Sequence, residues 1–414
     1  MTDATAGPSG AVTRGSVVRV GAATGVSALC GYAVLYLAAR DLAPAGFSVF
    51  GVFWGAFGLA SGAAFGLLQE TTREVRNRRT APHGGEQTRP MRVAAGVGLA
   101  AAVLIAVSAP LWSAHVFAAD GLLSVALLSL GLAGFCLHTT LLGLLAGLDR
   151  WSGYGALMVT DALARVAVAA VTFAVGWGLG GYLWATVAGS VGWLLMILVS
   201  PATRAVARLS TPGGTGAFLR GTGHSIAAAG ASAVLVMGFP VLLKATSGDL
   251  GAAGGVVILA VTLTRAPLLV PLTAMQGNLI AHFVDQRAHR LRALVTPAVL
   301  VGVLGAVGVT LAATFGPWLL REAFGAQYQA AGALLGWLTA AAVAIALLTL
   351  TGAATVAAAL HRAYATGWVS ATVASALLLL LPVELEVRTV VALLCGPLIG
   401  IAVHLAALAQ VHAV

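Results

Sequence analysis

Charge is scarce in this chain. Asp, Glu, Lys and Arg make up 8% of its 414 residues, against about 25% in an ordinary soluble domain. With a hydrophobic share of 59%, a soluble globule is excluded, because it would have to display large apolar patches. Cysteine is equally sparse. Cys30, Cys136 and Cys395 lie in separate apolar runs, without CxxC spacing and far from any His/Asp cluster, so neither a disulfide nor a metal site is expected. No GxxxxGK[ST], HExxH or GxSxG occurs, so no ATPase or hydrolase is encoded and no cofactor is expected. Runs of about ten residues in strict apolar alternation are also absent, which excludes a membrane β-barrel. The first residues, 1–15, are polar and lack the short apolar stretch and cleavage site of a signal peptide. They read as a disordered cytoplasmic tail.

What the chain has is long apolar runs. They fall at 18–39, 46–69, 92–114, 121–146, 153–177, 180–200, 223–247, 251–281, 293–315, 330–359, 366–382 and 387–410. Most are about 20 residues long, the length that crosses ~30 Å of hydrocarbon as a helix. The segment 316–329 reads as a candidate surface helix. Glycine, at 52 residues, is nearly twice as frequent as the ~7% of average usage. In a helical bundle it lets backbones approach closely, as the four-residue spacings Gly51/Gly55, Gly62/Gly66, Gly143/Gly147 and Gly251/Gly255 suggest. The fold class expected is all-α: a polytopic membrane protein of about 12 transmembrane helices.

The basic residues orient it. With the N-terminus in the cytoplasm, sixteen of the 22 lie at cytoplasmic ends, three in outer loops (Arg40, Arg321, Arg388) and three within spans. That bias predicts cytoplasmic N- and C-termini and an even number of spans. The net charge of +9 then faces the anionic inner leaflet and is no sign of nucleic-acid binding. The longest cytoplasmic loop, 71–90, is too short for a folded domain.

The chain also repeats itself. Asp41-Leu42-Ala43-Pro44-Ala45-Gly46-Phe47-Ser48-Val49 follows the first span, and Asp249-Leu250-Gly251-Ala252-Ala253-Gly254-Gly255-Val256-Val257 follows the seventh, at an offset of 208. A second echo pairs Leu148-Asp149-Arg150-Trp151 with Leu360-His361-Arg362-Ala363, at an offset of 212. Two similar offsets predict two six-helix lobes of the same orientation, related by a pseudo-twofold axis along the membrane normal, with a cavity between them. The expected division is a tail over 1–15, an N-lobe over 16–200, a cytoplasmic linker over 201–222 and a C-lobe over 223–410.

The stretch from Ala38 to Gly55, with its Asp-Leu-Ala-Pro-Ala-Gly-Phe turn, resembles the opening of the polysaccharide-transport (oligosaccharide flippase) family. That family belongs to the multidrug/oligosaccharidyl-lipid/polysaccharide (MOP) exporter superfamily. Gly66-Leu67-Leu68-Gln69-Glu70-Thr71-Thr72-Arg73, Asp161 to Arg165, Arg265-Ala266-Pro267-Leu268 and Phe324-Gly325-Ala326-Gln327-Tyr328 resemble it too, in order and spacing, over most of the chain. The resemblance implies two six-helix lobes in a bacterial cytoplasmic membrane. It also implies a flippase that moves a polyprenyl-diphosphate-linked oligosaccharide from inner to outer leaflet. Its partners would be that lipid-linked oligosaccharide, membrane lipids, and components of glycan polymerase or glycosyltransferase machinery. The chain departs from the family in being short, rich in Ala and Gly, and poor in polar residues within its spans.

Charges within spans are costly, about 2.5–3.5 kcal/mol each on insertion scales. Asp161 and Arg165 are four apart on one helical face: either a charged cavity wall or a self-neutralised structural pair. Arg265 precedes Pro267 and Pro271, where freed carbonyls and a bend are expected. It suits bidentate phosphate contact, or else a structural contact. Lys244 either lines the cavity or snorkels to the interface. Glu70 and Arg73, with Arg150 or Arg287, are candidates for a cytoplasmic gate or an interfacial ion cluster. His138 and His404 read as packing residues more readily than as proton relays. Trp54, Trp184 and Trp193 read as packing or interfacial anchors, with sugar stacking as the alternative.

Three functions compete. The first is the lipid-linked oligosaccharide flippase, working by alternating access between two lobes. The second is an ion-coupled small-molecule or drug antiporter of the same superfamily, for which Asp161 is the only intramembrane acid. The third is a membrane-embedded polyprenyl-sugar-dependent glycosyltransferase, which needs catalytic acids in a sizeable outer loop; the short first outer loop carries only Asp41, and the outer segment with Glu322 is the other candidate. The first two are transporters and not enzymes.

Overall fold

A computed structural model of the protein describes residues 14–78, 86–117, 121–286 and 290–410. Residues 1–13 of the expected tail, and the gate candidate Arg287, lie outside the described residues. Helix begins at Arg14, inside the segment read as tail.

Over the described residues the chain is all-α, a polytopic membrane protein whose helices make twelve spans in two six-helix lobes. Helix α1 (Arg14–Asn77) is 64 residues long, about three times the rise needed to cross hydrocarbon, and carries the first two spans. Helices α2 (Pro90–Val116), α3 (Gly121–Gly147) and α4 (Trp151–Val175) are spans three to five. Helix α5 (Leu179–Ala188), a 3-10 turn at Gly189–Val191 and α6 (Gly192–Val199) make the sixth, and α7 (Pro201–Ala207) follows. The second lobe opens with α8 (Thr215–Val236) and α9 (Phe239–Ser247), one span bent by 63° at Met237–Gly238. Pro240, which has no N–H to donate, starts the second piece. Next come α10 (Gly251–Ala274) with α11 (Gln276–Asp285), α12 (Arg290–Phe324), α13 (Gly332–Ala357), α14 (His361–Leu378) and α15 (Leu385–Gln410). The segment 316–329 is not a separate surface helix, because α12 runs on to Phe324 and the chain turns at Gly325, φ 112°. Two short strands, β1 (Gln87–Thr88) and β2 (Thr211–Pro212), pair antiparallel and tie the connection before α2 to the one before α8.

The repeat is visible in the backbone. Between spans one and two the helical path breaks at Ala43, φ 53°. Between spans seven and eight it breaks at Gly251, φ 52°, the residue that the first sequence echo aligns with Ala43. The second echo needs correction. Asp149 (φ 56°) turns the chain between α3 and α4, and Ala359 (φ 59°) turns it between α13 and α14. The hydrogen bonds Arg150 N–H to Leu145 O and Leu360 N–H to Thr355 O repeat the same turn. The structural offset is therefore 210, and the side-chain match at 212 is out of register by two. Turn geometry is shared between the lobes, whereas the Leu and Arg side chains that suggested the other register are not equivalent.

The two most enclosed helices are α3 and α13, spans four and ten, one at the centre of each lobe. The lobes meet along the second half of α1. Gly51 faces Ile258, Gly55 faces Pro240, Gly58 faces Met237, Gly62 faces Ala233, and Gly66 lies against the backbone of Ser225 and Ile226. These glycines recur every three or four residues, on one face of the helix. With no Cβ there, α1 approaches α8, α9 and α10 closely. Only part of this stripe shows in the sequence spacing, because four-residue pairs miss the step from Gly55 to Gly58.

The ends of the bundle differ. One end carries Arg73, Arg76, Arg150 and Arg204; the other carries the Ala43 and Gly251 breaks. At the arginine-poor end aromatic side chains join the lobes: Tyr36 meets Phe324 at 5.7 Å between ring centres, and Phe47 meets Tyr328 at 6.2 Å. Val34, Ala38 and Ala39 of span one, and Val257 to Val261 of span eight, are buried there. Toward the arginine-rich end span one becomes half-exposed from Arg19 to Ala33. An added Cβ at Gly21, Gly25 or Gly31 would meet nothing within 4 Å. Helix α11 packs on α12 and α13 of its own lobe. Along spans one and eight the lobes are thus closed at one end and apart at the other.

Candidate functional site

Two arginines with pendant phenylalanines flank the line where the lobes meet. In the first lobe Asp161 and Arg165 sit one turn apart on α4, and the carboxylate accepts two hydrogen bonds, from Arg165 Nε and Nη2, each at 3.1 Å. Arg165 Nη1 also donates to the Thr186 carbonyl at 2.8 Å, and its guanidinium lies 5.3 Å from the centre of the Phe57 ring on α1. Both side chains are about one-sixth exposed. Gly189 and Gly192 lie against Asp161, and any side chain at Gly189 would occupy the space of the carboxylate. The 3-10 turn in span six is therefore built around this pair.

In the second lobe Arg265 lies on α10, 7% exposed, with its guanidinium 5.2 Å from the centre of the Phe239 ring. Its Nη1 donates to the carbonyls of Leu235 and Val236, at 3.4 and 3.2 Å. These are the carbonyls freed where α8 ends and α9 begins, so the bend in this span supplies the acceptors. Nη2 is buried and has no hydrogen-bond partner among the described residues, and no carboxylate pairs with Arg265 there. Pro267 and Pro271 lie within a continuous α10, and the acceptors that Arg265 uses come instead from the break in the facing span.

The two arrangements stand at one level. Gly55 touches Pro240 and Gly58 touches Met237, so Phe57 and Phe239 belong to the same layer of contacts. His138, buried on α3 and stacked on Phe135 at 5.4 Å, is within electrostatic reach of Asp161 and Arg165. Its Nδ1 has no partner among the described residues. His404 is held by Thr351 at 3.0 Å and by the Tyr364 carbonyl at 3.3 Å, between α13 and α14, and packs there. Lys244 lies on α9 near the arginine-poor end and half-buried, away from the Arg265 layer by about a turn beyond Phe239. Trp54 packs on Phe50 at 5.8 Å, and Trp184 is exposed.

At the arginine-rich end Glu70 is buried, 2% exposed, and forms an ion pair with Arg73 at 2.6 Å. Its carboxylate lies against Gly221 of α8, with Ser225 one turn further on the same helix, so Glu70 crosses between the lobes. Arg150 is not brought to it. That side chain reaches the Ala202 carbonyl at 3.4 Å. The partners of Glu70 on α8 carry no charge and no motif, and sequence spacing had no signal for them. Phe57 and Phe239 were missed for the same reason, although Phe57 holds the place in the first repeat that Arg265 holds in the second. Among the described residues no group of three His, Cys, Asp or Glu side chains could hold a metal ion.

Comparison with known proteins places this geometry. No family model matches the sequence. The uncharacterized protein Mb3654 of Mycobacterium bovis is 71% identical over 403 residues, covering 97% of this chain and 94% of its own length. The uncharacterized protein Rv1510 of Mycobacterium tuberculosis is 67% identical, covering 99% and 96%. Among solved structures, an inward-facing multidrug resistance MATE family transporter of the MOP superfamily superposes with a TM-score of 0.68 at 14% identity. That match covers 95% of this chain and 98% of the other. A MOP superfamily transporter from Pyrococcus furiosus, described as having a binding pocket of reverse polarity that suggests a different function, superposes with a TM-score of 0.64 at 13% identity, covering 95% and 96%. The fold is that of the MATE transporters.

Proposed function

We propose that this chain, which belongs to the same family as these two mycobacterial proteins, is a transporter that moves a polyprenyl-diphosphate-linked oligosaccharide across the membrane. The single observation behind this reading is the charge balance at the layer between the lobes. The one intramembrane acid, Asp161, is already matched by Arg165, whereas Arg265 has a buried donor and no carboxylate partner among the described residues. The uncompensated charge there is positive. A buried cation without a carboxylate partner is held at a cost, and such residues mark substrate pathways. A diphosphate is complementary to it, through bidentate contact with a guanidinium. A cationic drug is not.

Transport follows from the asymmetry of the two ends. The arginine-rich end is the cytoplasmic one, so the lobes as seen here part toward the cytoplasm along spans one and eight. A lipid-linked substrate enters with its head between the lobes and its tail left in the bilayer. Arg265 lies behind the α8–α9 break, so movement of that break brings its free Nη2 to the diphosphate. Closure of spans one and eight at the arginine-rich end and parting of the Tyr36–Phe324 and Phe47–Tyr328 contacts complete the exchange of access. The chain encodes no nucleotide site, so the direction of net transport comes from an ion gradient, the membrane potential or consumption of the product outside.

The second reading, an ion-coupled drug antiporter, is favoured by one observation. His138 beside the Asp161–Arg165 pair is a second titratable group in the first lobe, as proton coupling would need. One experiment separates the two. Cells depleted of this protein are analysed by mass spectrometry for polyprenyl-linked glycans. Accumulation of one completed lipid-linked oligosaccharide, reversed by the wild-type gene but not by Arg265→Ala, supports the flippase and identifies its cargo. An unchanged lipid pool with new sensitivity to a small toxic compound sinks it in favour of the antiporter.

A further inference from the structure

Away from the Arg265 layer, a cavity of about 710 Å³ opens at the arginine-rich end between α2 of the first lobe and α8 of the second. This is within the ~300–1,000 Å³ range of pockets that hold small molecules. Arg89 and Arg92 stand at one end of its lining, and Val93, Gly96, Val97 and Leu219 line it further in. On α2 these positions recur every three or four residues and so lie on one face. That face begins with two cations at the end of the helix and becomes apolar toward the bilayer interior. A Cβ added at Gly96 would meet nothing within 4 Å, so no protein covers the groove there. Neither arginine forms an ion pair among the described residues.

The groove is built. Helix α2 touches α9 deeper in the bundle, and the groove lies between α2 and α8 at the arginine-rich end. There the β1–β2 pair bridges the two connections, and the Thr88 hydroxyl donates to the Gly213 carbonyl at 2.8 Å. These contacts frame the mouth, which has a cationic rim and an apolar wall.

We infer that this groove is a binding site for an anionic phospholipid. The headgroup phosphate is held by Arg89 and Arg92, and an acyl chain lies along Val93, Gly96 and Val97 with Leu219 opposite. The charge on the rim selects an anion, and basic pockets between membrane helices on this side of a bilayer suit such headgroups. The apolar face below the rim selects an occupant with a hydrocarbon chain over a soluble phosphate. Because the two walls belong to different lobes, a bound lipid favours the arrangement in which α2 and α8 leave this groove open, and membrane composition then biases the conformational equilibrium.

The test uses the full chain in nanodiscs of phosphatidylcholine with increasing phosphatidylglycerol, reading retained lipid by native mass spectrometry. Wild type should retain phosphatidylglycerol in preference to phosphatidylcholine. Arg89→Ala and Arg92→Ala should each weaken retention about fivefold, the equivalent of ~1 kcal/mol per basic residue near the surface. Gly96→Leu keeps both charges but fills the apolar wall, and should also abolish the preference; Arg204→Ala on α7 should not change it. Retention unaltered in the Arg89→Ala/Arg92→Ala double variant overturns the site. So does loss in that double variant with full retention in Gly96→Leu, which would indicate surface charge without a groove. Inorganic phosphate displacing the lipid at millimolar concentration would make the site one for a free anion, and would equally overturn the inference.

Discussion

Phe57 and Arg265 occupy equivalent positions of the two repeats, and each is one half of a cation–π pair: Phe57 under Arg165 at 5.3 Å, Arg265 over Phe239 at 5.2 Å. A ring in one lobe stands where the other has a cation, while their partners, Arg165 of span five and Phe239 of span seven, come from non-equivalent spans. In the first lobe the cation is neutralised by Asp161; in the second it is left with a free donor. The predictions that follow depend on this difference.

Arg265→Met should reduce transport of the lipid-linked oligosaccharide in proteoliposomes by at least about 30-fold, since truncating a partner of a buried charged contact costs about 2–5 kcal/mol. Thermal stability should change little, because removing a buried charge without a carboxylate partner offsets the loss of its hydrogen bonds to the Leu235 and Val236 carbonyls. A large fall in melting temperature would make Arg265 a structural residue.

The Asp161–Arg165 pair should behave in the opposite way. Asp161→Asn leaves Arg165 without its bidentate acceptor and should lower stability by about 1–3 kcal/mol. Adding Arg165→Met should recover most of that loss. A double-mutant cycle in a mild detergent reads the coupling energy, and a value near zero would mean that the pair contributes no net structural stabilisation.

Glycines on α1 should divide by position. Gly66→Ala places a methyl group against the backbone of Ser225 and Ile226 and should cost about 1–3 kcal/mol, as overpacking does, with the lobes forced apart at the Glu70 end. Gly25→Ala meets open space and should be neutral, or stabilising by up to about 1 kcal/mol through helix propensity. Melting curves of the two variants check both halves of this statement.

Ala43 holds φ 53°, ψ 169°, a region that costs a residue with a Cβ about 1–3 kcal/mol. Its partner in the repeat is Gly251. Ala43→Gly should therefore stabilise the protein, and Gly251→Val should destabilise it; thermal melts of the two variants test the pair. The strain persists because the flanks are fully packed, with Ala39 and Phe47 at 0% exposure and Gly255 tight against the Pro44 carbonyl.

The all-α membrane class was legible because hydrocarbon is an unforgiving solvent: twelve apolar runs of the right length leave few alternatives. The first repeat was legible because its turn kept side chains as well as geometry. The second was misread by two residues, because there only the left-handed turn at Asp149 and Ala359 was kept, and a turn leaves little trace in residue identity. Asp161 and Arg165 could be paired from spacing alone, since one helix presents both. Arg265 could be singled out as a costly charge, but its surroundings could not.

By itself, then, the sequence determined that the chain spans a membrane many times, in two copies of one unit, with its cations gathered at one end. Those properties are sums over composition and periodicity, set residue by residue against lipid and water. Tertiary structure alone decided what lies beside Arg265, which lobe carries an unmatched charge, and where Glu70 reaches across. Each of those depends on a contact between distant helices, made close by glycines and by the break at Met237–Gly238, and such contacts exist only once the helices are packed.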